Sequence, residues 1–250
     1  MFLKDVPFFW VLLAAHLIGD YYLQSQKMST DKQEKFSVLI NHCIIYGGCV
    51  LVVAWGLCGA MAIPGISVVC FGHFGVDTLK FFLLKLFPNS RKGLVLMIDQ
   101  TIHLATITAV VLWWPTDIRP CIPELMTALD WSCRLSTFLR LSCLALFIGK
   151  PANIILKVSN QKPAADNAAQ SEDRRFGAII GTLERILTAV LFLLGQYGAI
   201  SIVFTAKTLT RYKKITDSPE FGEYYLIGTL GSLLLAILPA ILLFPPNIVK

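Results

Sequence analysis

Seven apolar stretches, each close to the ~20 residues that span a bilayer, constrain the fold of this chain most strongly. Hydrophobic residues make up 55% of the 250 positions, and charged residues make up only 15%. Because lipid offers the backbone no hydrogen-bond partners, such stretches satisfy their own backbone groups as helices. The sequence therefore predicts an all-α, polytopic membrane helix bundle with about seven transmembrane segments, at residues 2–24, 38–57, 64–87, 93–114, 135–157, 179–207 and 224–244.

Lysine and arginine are distributed unevenly between these segments, and this bias predicts their orientation. The connections after the first, third and fifth segments are rich in Lys and Arg, so we expect them in the cytoplasm. The connection after the sixth segment is also basic and breaks the alternation. Residues 179–207 therefore either cross the membrane or form a re-entrant segment that bends at 195–198. The net charge of +6 suits an anionic membrane surface, and no basic stripe with aromatics points to nucleic acid.

Composition divides the chain into three parts. Residues 1–159 contain every histidine and form the first set of membrane helices. Residues 160–176 are small and polar, which predicts a flexible linker, and residues 177–250 form the C-terminal membrane helices. The seven cysteines show no CxxC spacing, and most of them behave as small hydrophobic residues within the segments. Only Cys121 and Cys133 flank a predicted outer loop, where they could form a disulfide.

All four histidines lie in the first four segments, and three of them have an aspartate four residues away. Residues four apart share one face of a helix, so each pair presents an imidazole and a carboxylate to the same place. Ionisable groups at membrane depth are costly and usually face a partner, an ion or a water-filled cavity. Segment lengths place the pairs and the fourth histidine in one layer near the cytoplasmic side. These seven candidate ligands are His16, Asp20, His42, His73, Asp77, Asp99 and His103.

Seven ligands exceed the needs of one four-coordinate ion, so the sequence predicts two divalent metal ions within residues 1–159. Mixed His and Asp ligation favours zinc, and iron or manganese also fit. Two such ions can activate a water and hold both oxygens of a phosphoester during hydrolysis. The alternative interpretation of the same residues is a structural polar network or a proton relay.

Five other polar residues accompany the predicted ligands. Gln24 continues the His16/Asp20 face and Lys80 the His73/Asp77 face, so with Asp99 we assign them candidate catalytic roles. For Lys80, snorkelling towards the headgroups is favoured over a substrate role. Gln100 could orient one of the metal ligands through a hydrogen bond. Glu184 and Arg185 stand together within an apolar helix, where an ion-paired packing contact to Arg140 or Lys150 of the fifth segment is favoured over a substrate role.

Recurring motifs at these positions resemble a known family. The segments HLIGDYYLQ, GHFGVDTLK, DQTIH, GKPAN, LERILTAVLFLLGQYGAI, TAK and EYYLIGTL begin at residues 16, 72, 99, 149, 183, 205 and 223. They are similar to motifs of the bacterial membrane family catalogued as domain of unknown function 3307. That resemblance implies a multi-pass protein of the bacterial inner membrane and supplies no reaction. More loosely, the histidine and aspartate pattern looks like that of predicted membrane-bound metal-dependent hydrolases.

Other enzyme signatures are absent from the sequence: it contains no GxSxG elbow, no Walker-type phosphate loop and no HExxH helix. We therefore expect an integral membrane metal-dependent hydrolase that acts on an ester or phosphoester of a lipid or lipid-linked substrate. A sensor or scaffold with a structural metal stays open, as do two further classes. One is a dinuclear iron oxidase or hydroxylase, which the identity of the metal would reveal, and the other is a transporter of a divalent metal or protons.

Overall fold

Helices are the only regular elements in residues 6–88, 90–114, 131–159 and 169–245, which are the residues that this computed structural model describes. This confirms the all-α prediction for those residues. The chain forms two compact units, Met1–Leu146 and Phe147–Lys250. Ten α-helices are described: α1 (Pro7–Leu17), α2 (Gln26–Asp31), α3 (Phe36–Cys58), α4 (Ile63–Leu86), α5 (Lys92–Trp113), α6 (Trp131–Ile148), α7 (Lys150–Ser159), α8 (Ala169–Leu193), α9 (Tyr197–Asp217) and α10 (Pro219–Leu243).

Four helices of the first unit form a closed ring. Helix α1 packs on α3, α3 on α4, α4 on α5, and α5 on α1. The inner faces combine apolar residues such as Val50 and Ile107 with the histidines and aspartates of the predicted site, all of which are buried. At Gly72, the α4 backbone comes so close to α5 that an added Cβ would lie 2.8 Å from a Thr106 methyl group. The ring therefore encloses a polar centre.

The outer faces of these helices are apolar. Val52, Phe71 and Trp113 expose 71%, 77% and 90% of their surface. A protein with its polar residues inside and its apolar residues outside suits a lipid environment, in which the large hydrophobic surface costs nothing. The apolar outer faces thus fit the membrane helix bundle that the sequence predicts.

Five helical stretches are long and apolar enough to cross a membrane: Phe36–Cys58, Ala60–Leu86, Gly93–Trp113, Leu135–Ser159 and Pro219–Leu243. The predicted count of about seven segments is thus not confirmed among the described residues. The first predicted segment contains the short helix α1 followed by a π-helical turn, Ile18–Tyr22. The sixth is broken between α8 and α9 at Gly195, whose φ of 71° ends the first helix.

The second unit contains α7 to α10, and Arg185 of α8 is its most buried large side chain. Its guanidinium donates to the Ile148 carbonyl at 2.8 Å and to Asn153 Oδ1 at 2.6 Å, with longer bonds to Thr182 and Ser232. Glu184 accepts a hydrogen bond from Lys207 of α9. Both residues therefore make packing contacts within this unit.

Helix α8 begins at Ala169, so its first two turns lie within the predicted linker 160–176. Residues 160–168 are outside the described part, and the flexibility of the linker stays a prediction. The predicted Cys121–Cys133 pairing falls on Cys121 and on the Cys133 side chain, which also lie outside the described residues.

Candidate metal centre

A π-helical turn places Asp20 in the centre of the ring. Such turns insert an extra residue into the helical repeat and occur frequently at functional sites. Within the turn, Gly19 lies against Tyr46 of α3, where an added Cβ would be 2.8 Å from the ring. The missing side chain thus lets the chain approach α3 closely. As a result, the Asp20 carboxylate reaches His42 of α3, with Oδ1 3.3 Å from Nε2.

Ligand atoms from three elements lie close together at this place. His42 Nε2 lies 3.3 Å from both Asp20 Oδ1 and His73 Nε2, and these three residues form one possible metal site. Asp77 Oδ2 lies beside them, 3.6 Å from His42 Nε2 and 4.0 Å from His73 Nε2. Ligands about 2.0–2.1 Å from a tetrahedral zinc ion are separated by about 3.3–3.4 Å. The spacing of Asp20, His42 and His73 therefore suits an ion, whereas Asp77 Oδ2 would have to move closer to join them.

A second set lies beside the first. His103 Nε2 is 3.7 Å from Asp77 Oδ1 and also 3.7 Å from Asp99 Oδ1. Asp77 lies between the two sets, with Oδ2 facing the histidines of α3 and α4 and Oδ1 facing His103 of α5. A carboxylate that presents one oxygen to each of two ligand sets is placed to bridge two ions.

The fit of this second set to a metal is supported by two atoms that lack hydrogen-bond partners. Asp99 Oδ1 and His103 Nε2 are buried and accept or donate no hydrogen bond within the described part of the chain. Buried polar atoms rarely stay unsatisfied, because each costs about 1–3 kcal/mol. Both atoms face the place where an ion shared with Asp77 would be bound.

His16 is held differently from the other three histidines. Its Nε2 lies 3.3 Å from Gln100 Oε1, and its Nδ1 lies 3.1 Å from the Tyr46 hydroxyl. An amide oxygen only accepts, so Nε2 carries a proton, and in a neutral ring Nδ1 then accepts from the Tyr46 hydroxyl. Both nitrogens are therefore engaged, and six of the seven predicted ligands remain with atoms that face one another.

Gln100 connects the two sides of the site. Its Nε2 donates to Asp20 Oδ2 at 2.9 Å and to Asp99 Oδ2 at 3.2 Å. The same side chain accepts from His16, so one amide orients three of the predicted ligands. The role of Gln100 in orienting metal ligands stays a prediction, which these hydrogen bonds make geometrically possible. Gln24 is buried just after the π-helical turn, and its catalytic role stays a prediction.

Two lysines contact the carboxylates of the site. Lys80 was a predicted site residue, and Lys32 was not. Lys80 donates to Asp99 Oδ2 at 2.8 Å, and Lys32 donates to Asp77 Oδ2 at 3.0 Å and lies 3.6 Å from Asp20 Oδ1. Burial lowers the pKa of Lys32, but Asp20 and Asp77 raise it by more, so this pKa stands above its usual value. Lys32 follows the short helix α2 among several other lysines, and no spacing in the sequence distinguishes it from them.

Cys43 is a second residue that the sequence analysis did not assign to the site. Its half-buried Sγ lies within 4.8 Å of ligand atoms of His73 and Asp77. It is next to His42 in the chain, and that adjacency is the signal from which its position could have been inferred. Glu184 and Arg185, by contrast, belong to the second unit.

One of three comparisons with known proteins found a match, and it covers the part of the chain that carries this site. No curated protein and no solved structure matches the chain. Residues 8–127 match a family model described as "Protein of unknown function (DUF3307)". The match includes all seven predicted ligands together with Lys32 and Lys80, and it ends before the C-terminal motifs. The buried His/Asp cluster therefore lies within the residues that match this family model.

Proposed function

We propose that this protein is an integral membrane metal-dependent hydrolase with a dinuclear His/Asp site. The observation that carries the proposal is the position of Asp77, whose two oxygens face two different ligand sets. Asp20, His42 and His73 form one set beside Asp77 Oδ2, and Asp99 and His103 form the other with Asp77 Oδ1. Mixed imidazole and carboxylate ligation favours zinc, with iron or manganese as the other suitable ions.

Two divalent ions about 3.5–4 Å apart would supply an activated water and charge stabilisation for the attacking and leaving oxygens of an ester or phosphoester. The residues of the chain hold the ligands in place. Tyr46 stacks on His73 with ring centroids 3.6 Å apart, which fixes the plane of that imidazole. Gln100 fixes Asp20 and Asp99 through its amide.

A lipid or lipid-linked substrate follows from the surroundings of the site. The ring of helices presents apolar outer faces, and three of the helical stretches of membrane-spanning length carry residues of the site. The Lys-rich connection that contains Lys32 favours the cytoplasmic side of a bacterial inner membrane for this end of the bundle. A substrate embedded in the membrane would reach the site without crossing water.

The test compares metal content and hydrolysis in purified protein. Asp99→Asn keeps the shape of the side chain but weakens ligation, so we expect reduced metal content and loss of turnover on a panel of phospholipids and lipid-linked phosphates. Asp217→Asn, an exposed residue of α9, serves as the matched control and should retain both. Wild-type protein that carries both ions but hydrolyses nothing in the panel, and instead shows saturable ion uptake in sealed vesicles, would contradict the hydrolase and favour a carrier.

A further inference from the structure

Helices α8 and α9 of the second unit pack against each other and are joined by an ion pair. Glu184 is 11 residues before Gly195, Lys207 is 11 residues after Gln196, and their side chains form the pair. In one straight helix the two residues would be about 35 Å apart, at 1.5 Å per residue. The pair therefore forms because the chain reverses at Gly195 and Gln196, and α8 and α9 are an antiparallel hairpin.

Backbone hydrogen bonds form the turn of this hairpin. The Gln196 amide donates to the Leu191 carbonyl at 2.8 Å, and the Gly195 amide donates to the Phe192 carbonyl at 3.0 Å. With the positive φ of Gly195, this is the pattern of a Schellman motif, which ends a helix. The rings of Phe192 and Tyr197 lie 5.6 Å apart across the turn. The reversal is therefore a specific structure and differs from a bend within one helix.

The surface of the hairpin is apolar along most of its length. The sequence has no charged residue between Arg185 and Lys207, and Leu194 and Ile202 expose 66% and 70% of their surface. Arg185 is buried within the unit, and Lys207 is paired with Glu184. Ionisable groups at membrane depth are usually arranged in this way, either paired or turned inwards. Lipid is therefore the surrounding that this surface suits.

The basic end of α9 indicates how deep the hairpin lies. Arg211, Lys213 and Lys214 are exposed in the last two turns of the helix. Lys214 is 18 residues after Gln196, which corresponds to about 27 Å of helix, and the hydrocarbon core of a bilayer is about 30 Å thick. With the basic end at one membrane surface, the turn lies near the other surface. The ion pair, about 16 Å from the turn, then lies near the middle.

The hairpin also accounts for the charge of the connection after the sixth apolar stretch. A single crossing by residues 179–207 would place Arg211, Lys213 and Lys214 on the outer side, against the charge bias. A hairpin returns them to the side on which α8 begins, which is the cytoplasmic side by the same bias. Helix α10 begins at Pro219, directly after the hairpin, and is long and apolar enough to cross the membrane from there.

We propose that α8 and α9 form a membrane-inserted hairpin, in which both ends lie on the cytoplasmic side and lipid acyl chains cover the apolar surface. The partner of this surface is thus the bilayer. The inference is independent of the metal centre and of the proposed hydrolase, because all of its residues belong to the second unit.

Cysteine labelling in oriented membrane vesicles tests the topology and the lipid contact. We expect Ser159→Cys at the end of α7 and Asp217→Cys at the end of α9 to react with an impermeant thiol reagent from the same side. Ile202→Cys should react at least about tenfold more slowly from either side, because a thiol covered by lipid stays uncharged and unreactive. Wild-type protein measures the labelling of the native cysteines, and unfolded Ile202→Cys shows that the new thiol is intact.

Labelling of Asp217→Cys only from the side opposite to Ser159→Cys would overturn the hairpin topology. Labelling of Ile202→Cys as fast as Asp217→Cys would overturn the lipid contact, since its exposure in the fold would then be exposure to water.

The depth of the ion pair has a separate test by chemical unfolding in detergent. Glu184→Gln leaves Lys207 without its partner at membrane depth and should lower the folding equilibrium constant by about tenfold or more. Glu184→Gln/Lys207→Gln removes both charges and should recover most of that loss. Glu223→Gln, an exposed residue of α10, is the control and should change the constant by less than about fivefold. Equal effects of Glu184→Gln and Glu223→Gln would contradict the position of the pair within the membrane.

Discussion

Replacing Gly19 by alanine should disturb the site through Tyr46. The new Cβ would lie 2.8 Å from Tyr46 Cδ2, which is closer than side-chain packing allows. Tyr46 is only 1% exposed, and its ring stacks on His73 at a centroid distance of 3.6 Å, so it has no free space to enter. Any relief of the clash must therefore move either the π-helical turn that carries Asp20 or the His73 ring.

Inserting one methyl group into a packed core costs about 1–3 kcal/mol. If most of this cost falls on the metal-bound geometry, the apparent affinity for the ions should fall by about tenfold to a hundredfold. Chelator competition on purified protein measures that affinity, and denaturant unfolding in detergent measures the loss of stability. Gly75→Ala in α4 is the control, because an added Cβ there meets nothing within 4 Å. Gly19→Ala protein with the affinity and stability of Gly75→Ala would refute the packing argument.

Three further predictions concern other parts of the chain. His16→Leu should retain both ions, because its nitrogens are engaged by Tyr46 and Gln100, whereas His73→Leu should lose ions; mass spectrometry of metal content decides between them. Arg185→Met should lower the free energy of unfolding by about 1–3 kcal/mol for each buried acceptor that loses its hydrogen bond, as chemical unfolding would show. The metal content of this variant should equal that of the wild type. A cysteine introduced at Thr30 should be protected from an impermeant thiol reagent in intact cells, since the Lys-rich connection is expected in the cytoplasm; labelling would reverse the orientation.

The sequence was sufficient to predict the helical class and the meeting of the histidines and aspartates, because helical spacing fixes which residues share a face. His42 has no aspartate at helical spacing, yet it lies between Asp20 and Asp77 because its depth in the segment matches theirs. The position of Lys32 could not be predicted, since it depends on how a short connection folds back over the bundle. The position of Asp77 between the two ligand sets also depends on how its carboxylate is oriented, and the spacing of residues in the sequence does not determine that orientation.

The break at Gly195 shows a different limit. The stretch 195–198 was identified from its glycines as a possible bend within a long apolar segment, and the structure has two separate helices there. Hydropathy alone joins them because the apolar composition continues through the break. A glycine with positive φ can therefore divide an apolar stretch into two helices without a change in its composition.

The most direct test of the account is the metal content of three proteins purified under identical conditions: wild type, Asp77→Asn and Asp99→Asn. If Asp77 bridges two ions, the wild type should contain about two ions per chain, and Asp77→Asn should lose both because it weakens both ligand sets. Asp99→Asn affects one set and should retain about one ion. Asp77→Asn protein that keeps as much metal as Asp99→Asn, or wild-type protein with a single ion or none, would contradict the shared-carboxylate site.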